Sequence, residues 1–151
     1  MTIPVRAPLA GALIGMEDVP DPVFAQEIIG PGFAIRIPED ATLIDALAPV
    51  DGTVTSLHPH AFVVEYPGGP PVLVHLGIDT VVLKGRGFQK LVEVGEPVRA
   101  GDPLITWDAS FAREAGLSTV VPVVVLAPGT AVVPLVRIGE GVEASTLIAR
   151  I

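Results

Sequence analysis

The stretch His60-Ala61-Phe62-Val63-Val64-Glu65-Tyr66-Pro67-Gly68-Gly69-Pro70-Pro71-Val72-Leu73-Val74-His75-Leu76 sets two short valine-rich runs on either side of a Pro-Gly-Gly-Pro turn. Runs of this length and composition, bounded by turn residues, read as a β-hairpin. The pattern predicts strands over 60–66 and 71–76 joined by a loop over 67–70. With Tyr66 opposite Pro71, Phe62 falls opposite His75 and His60 opposite Gly77. Side chains alternate with period two and opposed residues share a face, so His60, Phe62 and His75 project together. The imidazoles become diagonal neighbours with backbones roughly 7–8 Å apart. A slip of one residue would separate them, so the expectation is tied to that register.

The rest of the chain is cut up in the same way. Its 151 residues include 16 glycines and 16 prolines, and the longest windows free of both are 104–115, 39–48 and 142–151. Long helices therefore have almost nowhere to form. Strands are expected over 23–29, 33–37, 61–66, 72–76, 81–83, 120–126 and 131–136. A short helix is expected over 109–117, capped by Asp108 and stopped at Gly116. The fold class is all-β, an antiparallel sandwich or flattened barrel with at most short helices.

Two weak internal repeats accompany this pattern. Ala7-Pro8-Leu9-Ala10-Gly11-Ala12-Leu13 matches Ala48-Pro49-Val50-Asp51-Gly52-Thr53-Val54, and Val94-Gly95-Glu96-Pro97-Val98-Arg99-Ala100 matches Ile138-Gly139-Glu140-Gly141-Val142-Glu143-Ala144. Shared turn chemistry accounts for them as well as a duplication does, because tight turns want Pro and Gly at set offsets in any fold. In their order the repeats also resemble barrel-sandwich hybrid folds such as biotinyl and lipoyl domains. No Met-Lys-Met stands at a hairpin tip, which argues against a swinging-arm carrier.

Composition narrows the partners. Seventeen acidic against nine basic residues give a formal charge of -8 and a pI near 4.7. That balance disfavours nucleic acid and anionic membranes and suits a basic protein. Half of the residues are apolar and 17% are charged, as in a chain that folds, and 151 residues are most simply one domain, 1–151. There is no cysteine, hence no disulfide framework, thiol nucleophile or thiolate zinc site. The N-terminal residues lack the charged-then-apolar pattern of a secretory signal. The longest apolar run, over 120–127, is broken by Pro122 and too short to cross a bilayer. The expected location is the cytoplasm.

His58, His60 and His75 are the only histidines, and all lie in or beside the hairpin. Two imidazoles on one face repel when charged and lose hydration when buried, so a metal, a phosphate or a proton transfer ordinarily justifies them. Zinc is one chemistry: His58-Pro59-His60 is an H-x-H and His75 to Asp79 an H-x-x-x-D, the pieces used by lysostaphin-type peptidases, here in reversed order. A zinc hydrolase using His58, His60, His75 and Asp79 is therefore an alternative reading. General acid-base hydrolysis lacks both a G-x-S-x-G nucleophile and a carboxylate pair. The third chemistry is a phosphohistidine, with one imidazole as nucleophile and the other supporting the phosphoryl oxygens.

The residues His60-Ala61-Phe62 and Val74-His75-Leu76-Gly77-Ile78-Asp79-Thr80-Val81-Val82-Leu83-Lys84-Gly85-Arg86-Gly87-Phe88 resemble the signature of enzyme IIA of the glucose family, from the bacterial phosphoenolpyruvate-dependent sugar phosphotransferase system (PTS). The resemblance continues through Ala7-Pro8-Leu9-x-Gly11, Glu17-Asp18-Val19-Pro20-Asp21-x-Val23-Phe24-Ala25, Ile29-Gly30-x-Gly32, the second A-P-x-x-G and Ser118-Thr119-x-x-x-Pro122-Val123-Val124. It covers nearly the whole chain and implies a duplicated barrel-sandwich hybrid.

The resemblance also implies roles. His75 takes a phosphoryl group from phospho-HPr at its tele nitrogen and passes it to the IIB domain of a glucose- or N-acetylglucosamine-type transporter. His60 is the second active-site histidine, supporting the phosphate and onward transfer. The Gly77 carbonyl holds one ring N–H of His75. Asp21 and Asp79 face the basic surface of HPr, while Phe24, Ile28 and Phe62 supply an apolar collar; the ordinary alternatives are solvated turn residues and core. No cofactor is required, although His60 and His75 could bind zinc. The resemblance further implies regulation of other proteins, with phosphorylation adding about -1.5 to -2 charge at the docking face. Two departures stand out: the segment from Gly52 to His60 is shorter than in familiar members, and His58 stands where a threonine assisting the second histidine is expected. The chain starts just before the A-P-L-x-G strand, so no membrane attachment through an amphipathic tail is expected.

Overall fold

A computed structural model describes residues 2–151. In chain order the strands are β1 (Pro4–Arg6), β2 (Gly11–Gly15), β3 (Gly32–Arg36), β4 (Leu43–Leu47), β5 (Gly52–His58), β6 (Ala61–Glu65), β7 (Pro71–His75), β8 (Phe88–Lys90), β9 (Pro97–Val98), β10 (Pro103–Asp108), β11 (Val121–Val125), β12 (Val133–Pro134), β13 (Gly141–Val142) and β14 (Leu147–Arg150). Two short helices, α1 (Pro22–Ala25) and α2 (Ser110–Glu114), accompany them. The fold is thus all-β, and its strand pairs are antiparallel. One eight-stranded sheet runs β13-β2-β3-β11-β7-β6-β5-β9, and two three-stranded sheets run β1-β14-β12 and β4-β10-β8.

Read inward from its two edges, the large sheet repeats itself: β13-β2-β3-β11 on one side, β9-β5-β6-β7 on the other. The halves meet where Val123 of β11 pairs with Val74 of β7. Backbone hydrogen bonds follow the same symmetry. Ala7 donates to Thr146 and accepts from Ser145, as Ala48 donates to Asp102 and accepts from Gly101; Arg6 donates to Pro49 while Leu47 donates to Pro8. The two A-P-x-x-G segments therefore occupy equivalent places, as do Gly95-Glu96 and Gly139-Glu140, which bracket Val54 and Leu13 in turn. Turn chemistry alone does not produce such long-range equivalence; the repeats mark corresponding places in the two halves of a duplicated motif.

The connections differ between the two halves, and one difference builds the outer face. β5 and β6 are joined by Pro59 and His60 alone, whereas β2 and β3 are joined by residues 16–31. That long connection lies over the outer face of the large sheet, where Met16, Val19 and Phe24 pack with Ile14, Ala34, Ile78 and Val124. The larger cluster fills the inner side, with Phe62, Val64, Val74, Leu76 and Trp107 fully buried. β11 is covered on both faces and is buried along its whole length, which is why it reads as an unbroken apolar run.

Several local expectations are corrected. Residues 23–29 form α1 and turns rather than a strand, because the Asp21 carboxylate accepts from the Val23 amide at 2.9 Å and Pro22 occupies the first helical position. Residues 81–83 belong to a 3-10 turn, Thr80–Leu83. Of 131–136 only Val133–Pro134 pairs as a strand. β4, β14 and all of β10 after its first residue, Pro103, lie in the windows free of Gly and Pro: absence of breakers permits a strand as readily as a helix. The expected helix forms over Ser110–Glu114, with Asp108 accepting from the Ser110 amide at 3.0 Å and Gly116 at φ +74° just past its end.

Candidate functional site

The hairpin register differs by one residue from the expected one. Glu65 pairs with Pro71 and Ala61 with His75, so the loop runs over 66–70 and Phe62 lies opposite Val74. This turns Phe62 to the inner face, where it is fully buried in the main cluster. It is a core residue, which corrects its place in the apolar collar.

His60 nevertheless reaches His75, because it stands outside the strand alternation. It occupies the two-residue turn between β5 and β6, and its carbonyl accepts from the Leu76 amide at 2.8 Å, which ties the turn to the end of β7. The rings of His60 and His75 are 5.1 Å apart between centroids and nearly perpendicular, at 71°. Phe24, carried by α1, places its ring 5.4 Å from that of His75 on another side. His58 follows on the far side of His60, at 5.9 Å. The histidines thus form a row from half-buried His75 to exposed His58.

The Nδ1 of His75 lies 2.6 Å from the Gly77 carbonyl oxygen. A carbonyl oxygen only accepts, so Nδ1 carries the ring proton and Nε2 keeps its lone pair. Burial pushes the His75 pKa below its ordinary 6.5, against the opposing pull of the Gly77 hydrogen bond and the carboxylates of Asp21 and Asp79. His60 is pushed down to about 4, first by burial and then by the charges of His75 and His58. Both rings are neutral at pH 7, and His75 presents a nucleophilic nitrogen.

Gly77 suits its place because its φ of +80° is left-handed and a Cβ there would meet Thr80 Cγ2 at 2.6 Å and the Ser118 carbonyl oxygen at 2.9 Å. Asp79 also has a left-handed backbone, φ 60°. Ile28, Val81 and Val82 are 57–60% exposed and Val23 42%; they lie on the two segments that carry Asp21 and Asp79. Sequence reading missed Val81 and Val82 as surface residues by making them a strand. It also missed Thr80, whose only signal was a hydroxyl inside an apolar run.

A cavity of about 750 Å³ lies between residues such as Leu13, Glu27, Leu135 and Ile138, and none of the histidines lines it. Around the histidines, His58 and Asp79 are exposed while His60 and His75 are half-buried. Among the described residues no group of three or more His, Asp or Glu side chains gathers to hold a metal ion. The zinc-hydrolase reading, which needs His58, His60, His75 and Asp79 to converge, finds no support. No helix of the described residues is long and apolar enough to cross a membrane.

Residues 3–130 match the model of the family described as phosphoenolpyruvate-dependent sugar phosphotransferase system, EIIA 1. The chain belongs to that family. This EIIA chain is 45% identical over 123 residues to the PTS system glucose-specific EIIA component of Halalkalibacterium halodurans, covering 80% of this chain and 69% of the relative. With the protein of the same description from Staphylococcus epidermidis it shares 39% over 125 residues, 82% of this chain and 73% of the relative. Among solved structures, glucose permease IIA from Mycoplasma capricolum superposes with a TM-score of 0.87 at 34% identity, covering 99% of the EIIA chain and 96% of the other. By family, the chain is a component of a phosphotransferase system, and the family is one of phosphocarriers without a metal cofactor.

Proposed function

We propose that this EIIA chain, as one domain over 1–151, accepts a phosphoryl group from phospho-HPr on Nε2 of His75 and passes it to the IIB domain of a glucose- or N-acetylglucosamine-type transporter in the cytoplasm. The observation that carries the reading is the 2.6 Å contact between His75 Nδ1 and the Gly77 carbonyl. It fixes the proton on the inner nitrogen and leaves the outer lone pair to attack phosphorus. As the new N–P bond forms, the bond from phosphorus to the donor breaks and its electron pair leaves with the donor. His60, 5.1 Å away, supports the phosphoryl oxygens with a ring N–H during onward transfer. Asp21 and Asp79 steer a basic partner, and the exposed Ile28, Val81 and Val82 supply the apolar contact, while Phe24, itself buried, backs the His75 ring. The same face suits regulated proteins that part company when His75 is phosphorylated.

The test is incubation with enzyme I, HPr and phosphoenolpyruvate, followed by intact mass. One acid-labile phosphoryl group should be gained and should be absent in His75→Ala. No gain beside an active HPr overturns the reading.

A further inference from the structure

Thr80 is the only polar or charged side chain that is fully buried among the described residues. Its hydroxyl donates backwards to the Leu76 carbonyl at 2.7 Å, across the loop that follows His75. Its methyl faces Gly77, so closely that a Cβ on Gly77 would lie 2.6 Å from it. One side chain therefore holds the loop at both of the residues that follow the histidine. The remaining ties come from the backbone: Leu76 to the His60 carbonyl at 2.8 Å and Ile78 to the Ser118 carbonyl at 3.0 Å. The loop needs holding, because Gly77 and Asp79 both have left-handed backbones and Asp79 is not a glycine. Such conformations persist only where their surroundings over-determine them.

We propose that Thr80 is a positioning residue for the phosphoryl acceptor: its buried hydroxyl holds the loop so that the Gly77 carbonyl aims at His75 Nδ1 and thereby sets the tautomer of the ring. The link to transfer rests on His75 as acceptor; the link to the tautomer does not. A neutral imidazole without a fixed partner favours its proton on Nε2, the nitrogen that must be free. The carbonyl reverses this preference only while it stays within hydrogen-bond reach. Thr80 acts on the ring through the direction of one peptide group and touches neither phosphoryl donor nor acceptor.

Two variants separate hydroxyl from shape. Thr80→Val keeps the volume and removes the donor; Thr80→Ser keeps the donor and removes the methyl. In long-range ring correlation spectra of 15N-histidine-labelled protein at pH 7.5, the wild type should show a protonated Nδ1 and an unprotonated Nε2. The valine variant should move both nitrogens toward mixed tautomers and lose on the order of ten- to a hundred-fold in the rate of acceptance from phospho-HPr. The serine variant should keep both properties near wild type. Thr80→Cys, whose thiol fills the site but donates weakly, is measured in parallel and should follow valine, so that a valine variant too unstable to assay does not remove the test. Wild-type ring shifts and acceptance rate in a folded valine or cysteine variant overturn the proposal. A wild type that accepts no phosphoryl group overturns the acceptor reading instead and leaves the spectra to decide the tautomer.

Discussion

His75 Nδ1 sits 2.6 Å from the carbonyl oxygen of Gly77, two residues along the chain. A contact this local is possible because Gly77 turns the backbone left-handed, at φ +80°, immediately after β7 ends. An L side chain at Gly77 faces two obstacles: the left-handed conformation costs roughly 1–2 kcal/mol, and the Thr80 methyl and Ser118 carbonyl occupy the space. Gly77→Ala should therefore lower the denaturation midpoint and reduce phosphoryl acceptance in the protein that remains folded. Full acceptance at wild-type stability would show that the carbonyl's aim does not matter.

The second imidazole gives a division of labour that kinetics can resolve. His60 approaches the His75 ring edge-on, and in the proposed function it supports the phosphoryl group without a covalent step of its own. His60→Gln should still accept phosphate from phospho-HPr while delivery to IIB falls by on the order of a hundred-fold or more, the loss typical of a missing transition-state donor. Sugar phosphorylation at the wild-type rate removes His60 from the mechanism.

Protonation supplies an independent check. The folded protein keeps His60 neutral down to a pKa of about 4 and holds His75 below 6.5. The unfolded chain takes up these protons near 6.5, so it binds more protons than the folded state between about 6.5 and 4. Stability should thus fall as pH drops through that window, and the fall should be shallower in His60→Gln. Acceptance, which needs a neutral His75, should hold from pH 8 to below 6.5. A His60 ring titrating near 6.5 by NMR contradicts this account.

Phe62 shows where sequence and structure part. The strand runs, the turn and the closeness of His60 to His75 were legible from valines, prolines and glycines. The register was not: Tyr66 and Pro71 make an equally good closing pair on paper. Pairing of Glu65 with Pro71 instead puts Phe62 in the interior. His60 and His75 survive the slip only because His60 sits in a turn, a placement that alternation cannot predict. The duplication was visible as two faint repeats but could not be separated from turn chemistry until backbone bonds joined Ala7 to Thr146 and Ala48 to Asp102 alike. As a core residue, Phe62→Ala should cost about 3–5 kcal/mol, with transfer by the folded fraction unchanged. A stable variant with a weakened affinity for HPr would return Phe62 to the docking face.

Asp21 carries two functions that substitution can separate. Its carboxylate caps α1 through the Val23 amide at 2.9 Å, and its charge lies close enough to favour the protonated form of His75. Asp21→Asn keeps a capping oxygen and removes the charge; Asp21→Ala removes both and should lose about 0.5–2 kcal/mol of stability. Loss of the cap also frees the segment that sets Phe24 against His75, so the alanine variant should weaken partner binding further. The asparagine variant isolates steering: the KM for HPr should rise at low salt, kcat should hold, and the difference from wild type should shrink at high ionic strength as screening removes the field. A KM that stays at the wild-type value in low salt would confine Asp21 to its cap.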